Sequence, residues 1–174
     1  MRLLMPFYSN SRKEFYMIKV MFICHGNICR SPMAEFIFKN IVKQLGLERD
    51  FYICSSATST EEIINGIGRP VYPPARRELE SHGIDCSGKQ AVQLQKSDYD
   101  HYDWLLGMDS MNMKNMEKIT GHQQGGKMVK LLSFTDDGGD IADPWYYGNF
   151  DKTYTDIVRG CEAFLNCLKI KGLI

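Results

Sequence analysis

With 174 residues, 44% of them hydrophobic, the chain suits a single domain with a substantial core, and no apolar run reaches membrane-spanning length. Lys and Arg number 21 and Asp and Glu also 21, so the formal net charge is zero. That balance leaves no basic face for nucleic acid or for a membrane surface, and the densest basic cluster, Arg76 and Arg77, falls within a helical pattern.

Residues 1–16 are interrupted by Pro6, Ser9 and Asn10 before a signal-peptide core can accumulate, so they read as a poorly ordered N-terminal extension ahead of a domain at 17–174. Met17 is an alternative start. The apolar run IKVMFIC (18–24) predicts a first buried strand, and PMAEFIFKNIVKQLG (32–46) a helix that stops at Gly46. DFYICSSA (50–57) reads as the second strand, followed by ATSTEEIINGIGRP, in which GIG (66–68) is a flexible loop. PARRELESHG (74–83) is a helix, YDWLLGM (102–108) the third strand and SMNMKNMEKIT a further helix, with the methionines at 108, 111, 113 and 116 serving as packing groups. KMVKLLSF (127–134) is the fourth strand, DDGGD (136–140) a surface loop and 150–170 a long amphipathic closing helix.

Strand and helix alternate four times. The expected fold is therefore α/β, a single doubly wound domain with a four-stranded parallel sheet flanked by helices on both faces. In such sheets ligands bind beyond the carboxyl ends of the strands.

The six cysteines, Cys24, Cys29, Cys54, Cys86, Cys161 and Cys167, sit singly and without a secretory signal, which fits a reducing cytoplasm. No C-x-x-C pair or H-x-x-x-H spacing occurs, so the pattern implies no metal and no cofactor.

CHGNICRS (24–31) follows the first strand directly. A chain that leaves a strand, turns at Gly26 and Asn27 and enters a helix leaves backbone N–H groups unpaired, and such groups bind tetrahedral oxyanions such as phosphate. Asn27 tolerates the left-handed backbone that a tight cradle requires. Arg30 can clamp two phosphate oxygens with its planar fork, and Pro32 suits a first helical turn. The same field favours the thiolate of a cysteine at a helix start, and Ser31 can donate a hydrogen bond to the Cys24 sulfur.

This loop resembles the signature of the low-molecular-weight protein tyrosine phosphatases, a cysteine separated by five residues from Arg-Ser after a first parallel strand. The resemblance continues through SSATST (55–60), SHGI (81–84), MDSMN (108–112) and DPWYYGNF (143–150), and covers residues 18–170. It implies hydrolysis of phosphotyrosine monoesters through a cysteinyl phosphate, with Cys24 as nucleophile, Arg30 as phosphate clamp and Asp143 as general acid. Asn27, Ser31, Ser55 and His82 would form a polar network that holds the loop, and His25, Gly26, Asn27, Ile28, Cys29 and Ser31 would surround the phosphate. It also implies phosphotyrosine proteins as partners, autophosphorylated tyrosine kinases among them, inorganic phosphate or other oxyanions in the loop, and phosphorylation of Tyr146 or Tyr147.

A tyrosyl leaving group, with a conjugate acid near pKa ~10, needs a proton donor. Asp136, Asp137, Asp140 and Asp143 all lie after the fourth strand, and the family resemblance selects Asp143, whose turn Pro144 stiffens. Trp145 and Tyr146 stand beside it, either as aromatic walls for a phenyl ring or as ordinary core. Family members often carry an aromatic residue on the opposite wall, where this chain offers Glu61, Glu62, Ile63 or Ile64. Acidic groups there would repel acidic phosphopeptides. Cys29 suits a redox role, trapping oxidised Cys24 as a disulfide, or simple packing behind the loop. His25 reads as a rim residue and His82 as a hydrogen-bonded structural histidine.

Two other readings share the loop. An arsenate reductase would need two further relay cysteines, where only Cys86 lies in the corresponding region. A catalytically silent phosphotyrosine-binding module would not need the full set of Cys24, Arg30 and Asp143.

Overall fold

The computed structural model describes residues 16–174. Apart from Tyr16, the expected N-terminal extension lies outside the described residues. β1 (Ile18–Cys24) runs through the middle of the molecule. Val20, Phe22 and Cys24 face one core and Met21 and Ile23 another, so covering on both sides explains why the strand is apolar at nearly every position. A loop at 25–29 leads into α1 (Arg30–Gln44), which returns the chain to β2 (Phe51–Ala57).

A short hairpin follows, β3 (Ile63–Ile64) paired with β4 (Ile67–Gly68). Then come α2 (Pro73–Ser81), the single turn α3 (Asp98–His101), β5 (Trp104–Gly107) and α4 (Ser110–Thr120). β6 (Met128–Lys130), a 3-10 turn (Leu131–Phe134), α5 (Pro144–Tyr147) and α6 (Phe150–Ile170) complete the chain.

The main sheet has the order β2-β1-β5-β6 with every pairing parallel, Val20 standing between Ile53 and Trp104. α1, α2 and α6 cover one face and α4 the other. The connection after β2 crosses back past β1 to reach β5, so the order reverses between β1 and β5. The loop at 25–29 leaves β1 at this crevice.

The expected α/β fold and four-stranded parallel sheet are present, with three local corrections. The fourth strand ends at Lys130 instead of Phe134, because Leu131 and Leu132 are adjacent and both buried in the same core, which a strand's alternation forbids. Gly160 of α6 makes room for them, since a Cβ there would lie 2.7 Å from Leu131 Cγ. The GIG segment is no flexible loop. Asn65 and Gly66 both have positive φ, 51° and 77°, and form the tight hairpin turn that an Asn-Gly pair favours. Met111 also departs from the packing role given to the methionines, for it faces solvent while Met108, Met113 and Met116 are buried.

Candidate active site

The side chains that meet at the carboxyl edge of the sheet come from the ends of four strands. Cys24 ends β1, Glu61 and Glu62 follow β2, Asp109 follows β5 and Asp143 lies beyond β6. From Cys24 to Cys29, four of the six carbonyls accept hydrogen bonds from neighbouring chain. Thr58 donates to Cys24 O, Ser59 to His25 O, Tyr72 to Ile28 O and Met33 to Cys29 O, at 2.8–3.0 Å. The N–H groups of His25 through Cys29 donate to no acceptor among the described residues, so five consecutive donors of the loop are left for an anion.

Asn27 fixes this shape. Its backbone is left-handed, with φ of 55°, and its buried amide donates to Ser31 Oγ and Ser55 Oγ, both at 2.8 Å. Its side-chain oxygen accepts from the N–H of Val92 at 3.0 Å. Having accepted from Asn27, the Ser31 hydroxyl can direct its own proton to Cys24 Sγ, 3.0 Å away. Ser55 in turn donates to the buried carboxylate of Glu35, which is paired with Lys39 at 2.5 Å and Lys89 at 3.2 Å. A carboxylate this deep needs such partners.

Arg30 is 2% exposed and is gripped from both sides. Nη1 meets Asp109 Oδ2 at 2.5 Å and the carbonyl of Ile141 at 3.0 Å, while Nη2 meets Asp143 Oδ2 at 2.6 Å. Burial works against the charge on the guanidinium, but Cys24, Asp143 and Asp109 outweigh it and raise its pKa above the ordinary value. Asp109 also caps α4 by accepting from the N–H of Asn112 at 2.6 Å. Asp143 caps α5 in the same way through Trp145 N at 3.1 Å.

These groups line a cleft of about 170 Å³ bounded by Cys24, Arg30, Glu61, Glu62, Asp143 and Trp145. Trp145 and Tyr146 line it too and are 56% and 79% exposed, so neither is core. Of the four candidates for the opposite wall, Glu61 and Glu62 line the cleft, whereas Ile63 and Ile64 turn away into β3. Glu61 meets His25 at 2.9 Å on the rim, and Glu62 packs on the loop so closely that a Cβ at Gly26 would come within 3.0 Å of its Cγ.

His82 is not part of the loop network. It stands at the end of α2, hydrogen-bonded to Glu78 at 3.2 Å and stacked on Tyr154 at 3.7 Å, so its polarity serves the packing of α2 on α6. Cys29 is buried, and that burial above all, with the negative field of Cys24 and Asp143, pushes its thiol well above the ordinary range. Cys86, the relay candidate of the arsenate reductase reading, is 3% exposed within the main core.

Comparison with known proteins now decides between phosphate-binding families with such a loop. The family model for low molecular weight phosphotyrosine protein phosphatase matches residues 19–172. The chain belongs to that family. The phosphatase is 35% identical over 151 residues to the low molecular weight protein-tyrosine-phosphatase YfkJ of Bacillus subtilis, covering 86% of this chain and 94% of that one. It is 36% identical over 152 residues to the human low molecular weight phosphotyrosine protein phosphatase, covering 84% and 92%. The crystal structure of YfkJ superposes with a TM-score of 0.83 at 33% identity, covering 89% of this chain and 96% of that one. Among the described residues of the phosphatase, no helix is long and apolar enough to cross a membrane.

Sequence reasoning about the phosphatase missed Asp109, Glu35 and Lys89 as members of the site. Asp109 carries a local signal, an Asp between a strand and a helix, but its contact with Arg30 bridges 79 positions. Glu35 lies in the first turns of the predicted helix at 32–46, and its burial beside Ser55 could not be inferred from periodicity.

Proposed function

We propose that the phosphatase hydrolyses phosphotyrosine in two steps on Cys24. In the first, Cys24 Sγ bonds to phosphorus and the tyrosyl P–O bond breaks, while Asp143 passes a proton to the leaving phenolate. In the second, Asp143 takes a proton from water, the water oxygen bonds to phosphorus and the S–P bond breaks, releasing inorganic phosphate and the thiolate. The loop amides and the Arg30 fork hold the equatorial oxygens throughout, where charge is greatest. Asp109 holds Arg30 in register. Trp145 and Tyr146 flank the phenyl ring, and the partners in this reading are phosphotyrosine proteins, autophosphorylated tyrosine kinases among them.

The observation that carries this reading is a single loop with a thiol at one end, a doubly paired guanidinium at the other and unengaged amides between. Cys29 extends it. When peroxide transfers oxygen to the Cys24 thiolate, Cys29 sulfur displaces hydroxide, which takes the Cys29 proton, and a disulfide closes.

Hydrolysis of para-nitrophenyl phosphate tests the reading. Cys24→Ser should abolish turnover, and Asp143→Asn should lower kcat by roughly 10² to 10⁴. KM should not rise in Asp143→Asn, because the carboxylate that competes with the substrate for Arg30 is gone. Equal rates in wild type and Cys24→Ser would overturn the mechanism.

A further inference from the structure

A second and larger groove, of about 690 Å³, opens directly off the catalytic cleft and shares Ile28, Glu62 and Trp145 with it. Its floor is Val71 and Tyr72. This floor is tied to the phosphate loop, since the N–H of Tyr72 donates to Ile28 O at 2.8 Å and its ring packs against Trp145 at 4.9 Å. A chain lying in the groove would therefore have a fixed position relative to the phosphorus.

The groove is basic where the cleft mouth is acidic. Arg69, Arg76 and Arg77 line it, and the three differ in what they already hold. Arg76 is engaged with Glu80 at 2.7 Å. Arg69 is 60% exposed and only loosely paired, 3.6 Å from Glu62, and Arg77 is exposed with no ion pair among the described residues. On the other side of the mouth Glu61 presents a carboxylate, while Glu62 stands between the two cavities with one oxygen turned toward Arg69. The charge changes sign across the entrance.

We infer that this groove seats the peptide on one side of the phosphotyrosine and reads an acidic side chain there through Arg69 and Arg77. The inference rests on the phosphotyrosine reading and adds a direction to it. Glu61 disfavours acidic residues on its side, while Arg69 and Arg77 favour them on theirs, so complementary charge selects one orientation of the chain. The apolar floor beneath the arginines supplies contact area that the small cleft lacks.

Three phosphotyrosine peptides of one parent sequence test this, carrying an Asp pair before the phosphotyrosine, an Asp pair after it, or Ser at all those positions. At low salt one of the two acidic peptides should show a KM about fivefold below that of the Ser peptide, the scale of solvent-facing ion pairs. The advantage should vanish in the Arg69→Ala/Arg77→Ala variant, and Arg77→Glu should shift preference toward a Lys-bearing peptide. Para-nitrophenyl phosphate, too small to reach the groove, should be hydrolysed equally by all forms. Absence of any acidic preference, or its survival in the double variant, overturns the groove assignment alone. Failure of wild type to hydrolyse para-nitrophenyl phosphate overturns the phosphotyrosine reading beneath it.

Discussion

Cys24 and Cys29 share one loop and lie in opposed surroundings. Cys24 accepts help from Ser31 and sits across the loop from Arg30, whereas Cys29 is pressed into the core and held protonated by burial and by its neighbours' negative charge. Peroxide inactivation should be largely reversed by a dithiol reductant in wild type and lost for good in Cys29→Ala, where Cys24 proceeds to sulfinic acid; equal recovery in both would remove the redox role from Cys29. At this scale the sequence spoke clearly for Cys24 and Arg30, which stand six positions apart at the two ends of one loop. It was silent on Asp109 and Glu35, whose meaning depends on which strand ends are neighbours; His82 is the hydrogen-bonded structural histidine it read as, but its partners are Glu78 and Tyr154 and not the loop network that the family resemblance implied.

The hairpin β3–β4 shows how an element too short to carry periodicity can shape a site. It follows the segment that lays Glu62 against Gly26, and Arg69 N donates back to Glu62 O at 2.8 Å. Gly68 lets it lie flat on the neighbouring chain, for a Cβ there would stand 1.9 Å from the carbonyl oxygen of Ala91. Gly68→Ala should cost about 3 kcal/mol, the upper end of overpacking, because backbone must move. Gly107→Ala in β5 meets Met113 Sδ at 2.6 Å, the end of a flexible side chain, and should cost about 1 kcal/mol. Denaturant unfolding of the two variants checks the contrast, and comparable losses would refute it. The long helices and β1 were legible because burial imprints a period on them. A two-residue strand has none, and the Asn65-Gly66 turn was its only mark.

Across the whole molecule, thiols are stored in apolar surroundings on both sides of the sheet. Burial pushes Cys54 up to about 11, from an ordinary value of 9.0, and raises Cys29 and Cys161 further. Tyr102, buried and hydrogen-bonded to Cys54, is raised as well. A raised value in the folded state means that the neutral form is preferred there. Stability is therefore complete below the ordinary thiol value and falls as pH climbs beyond it, when the unfolded chain ionises first. Each such thiol should remove about 1.4 kcal/mol per pH unit above that point until its folded-state value is reached. Urea midpoints should thus decline steeply between about pH 9 and 11, with a shallower slope in Cys54→Ala; a flat profile would contradict the burial of these groups. The fold as a whole was legible because alternation of strand and helix sets the parallel sheet, while the partition of side chains between two cores emerges only from packing.

Asn27 joins four stretches of chain: its own loop, the start of α1 through Ser31, β2 through Ser55 and the strand-like segment at Val92. None of these can peel away without releasing the others, so the catalytic loop has no private route to melting. The enzyme should keep its full turnover up to the brink of cooperative collapse and then lose it all at once, making the rate itself a gauge of how many molecules are still folded.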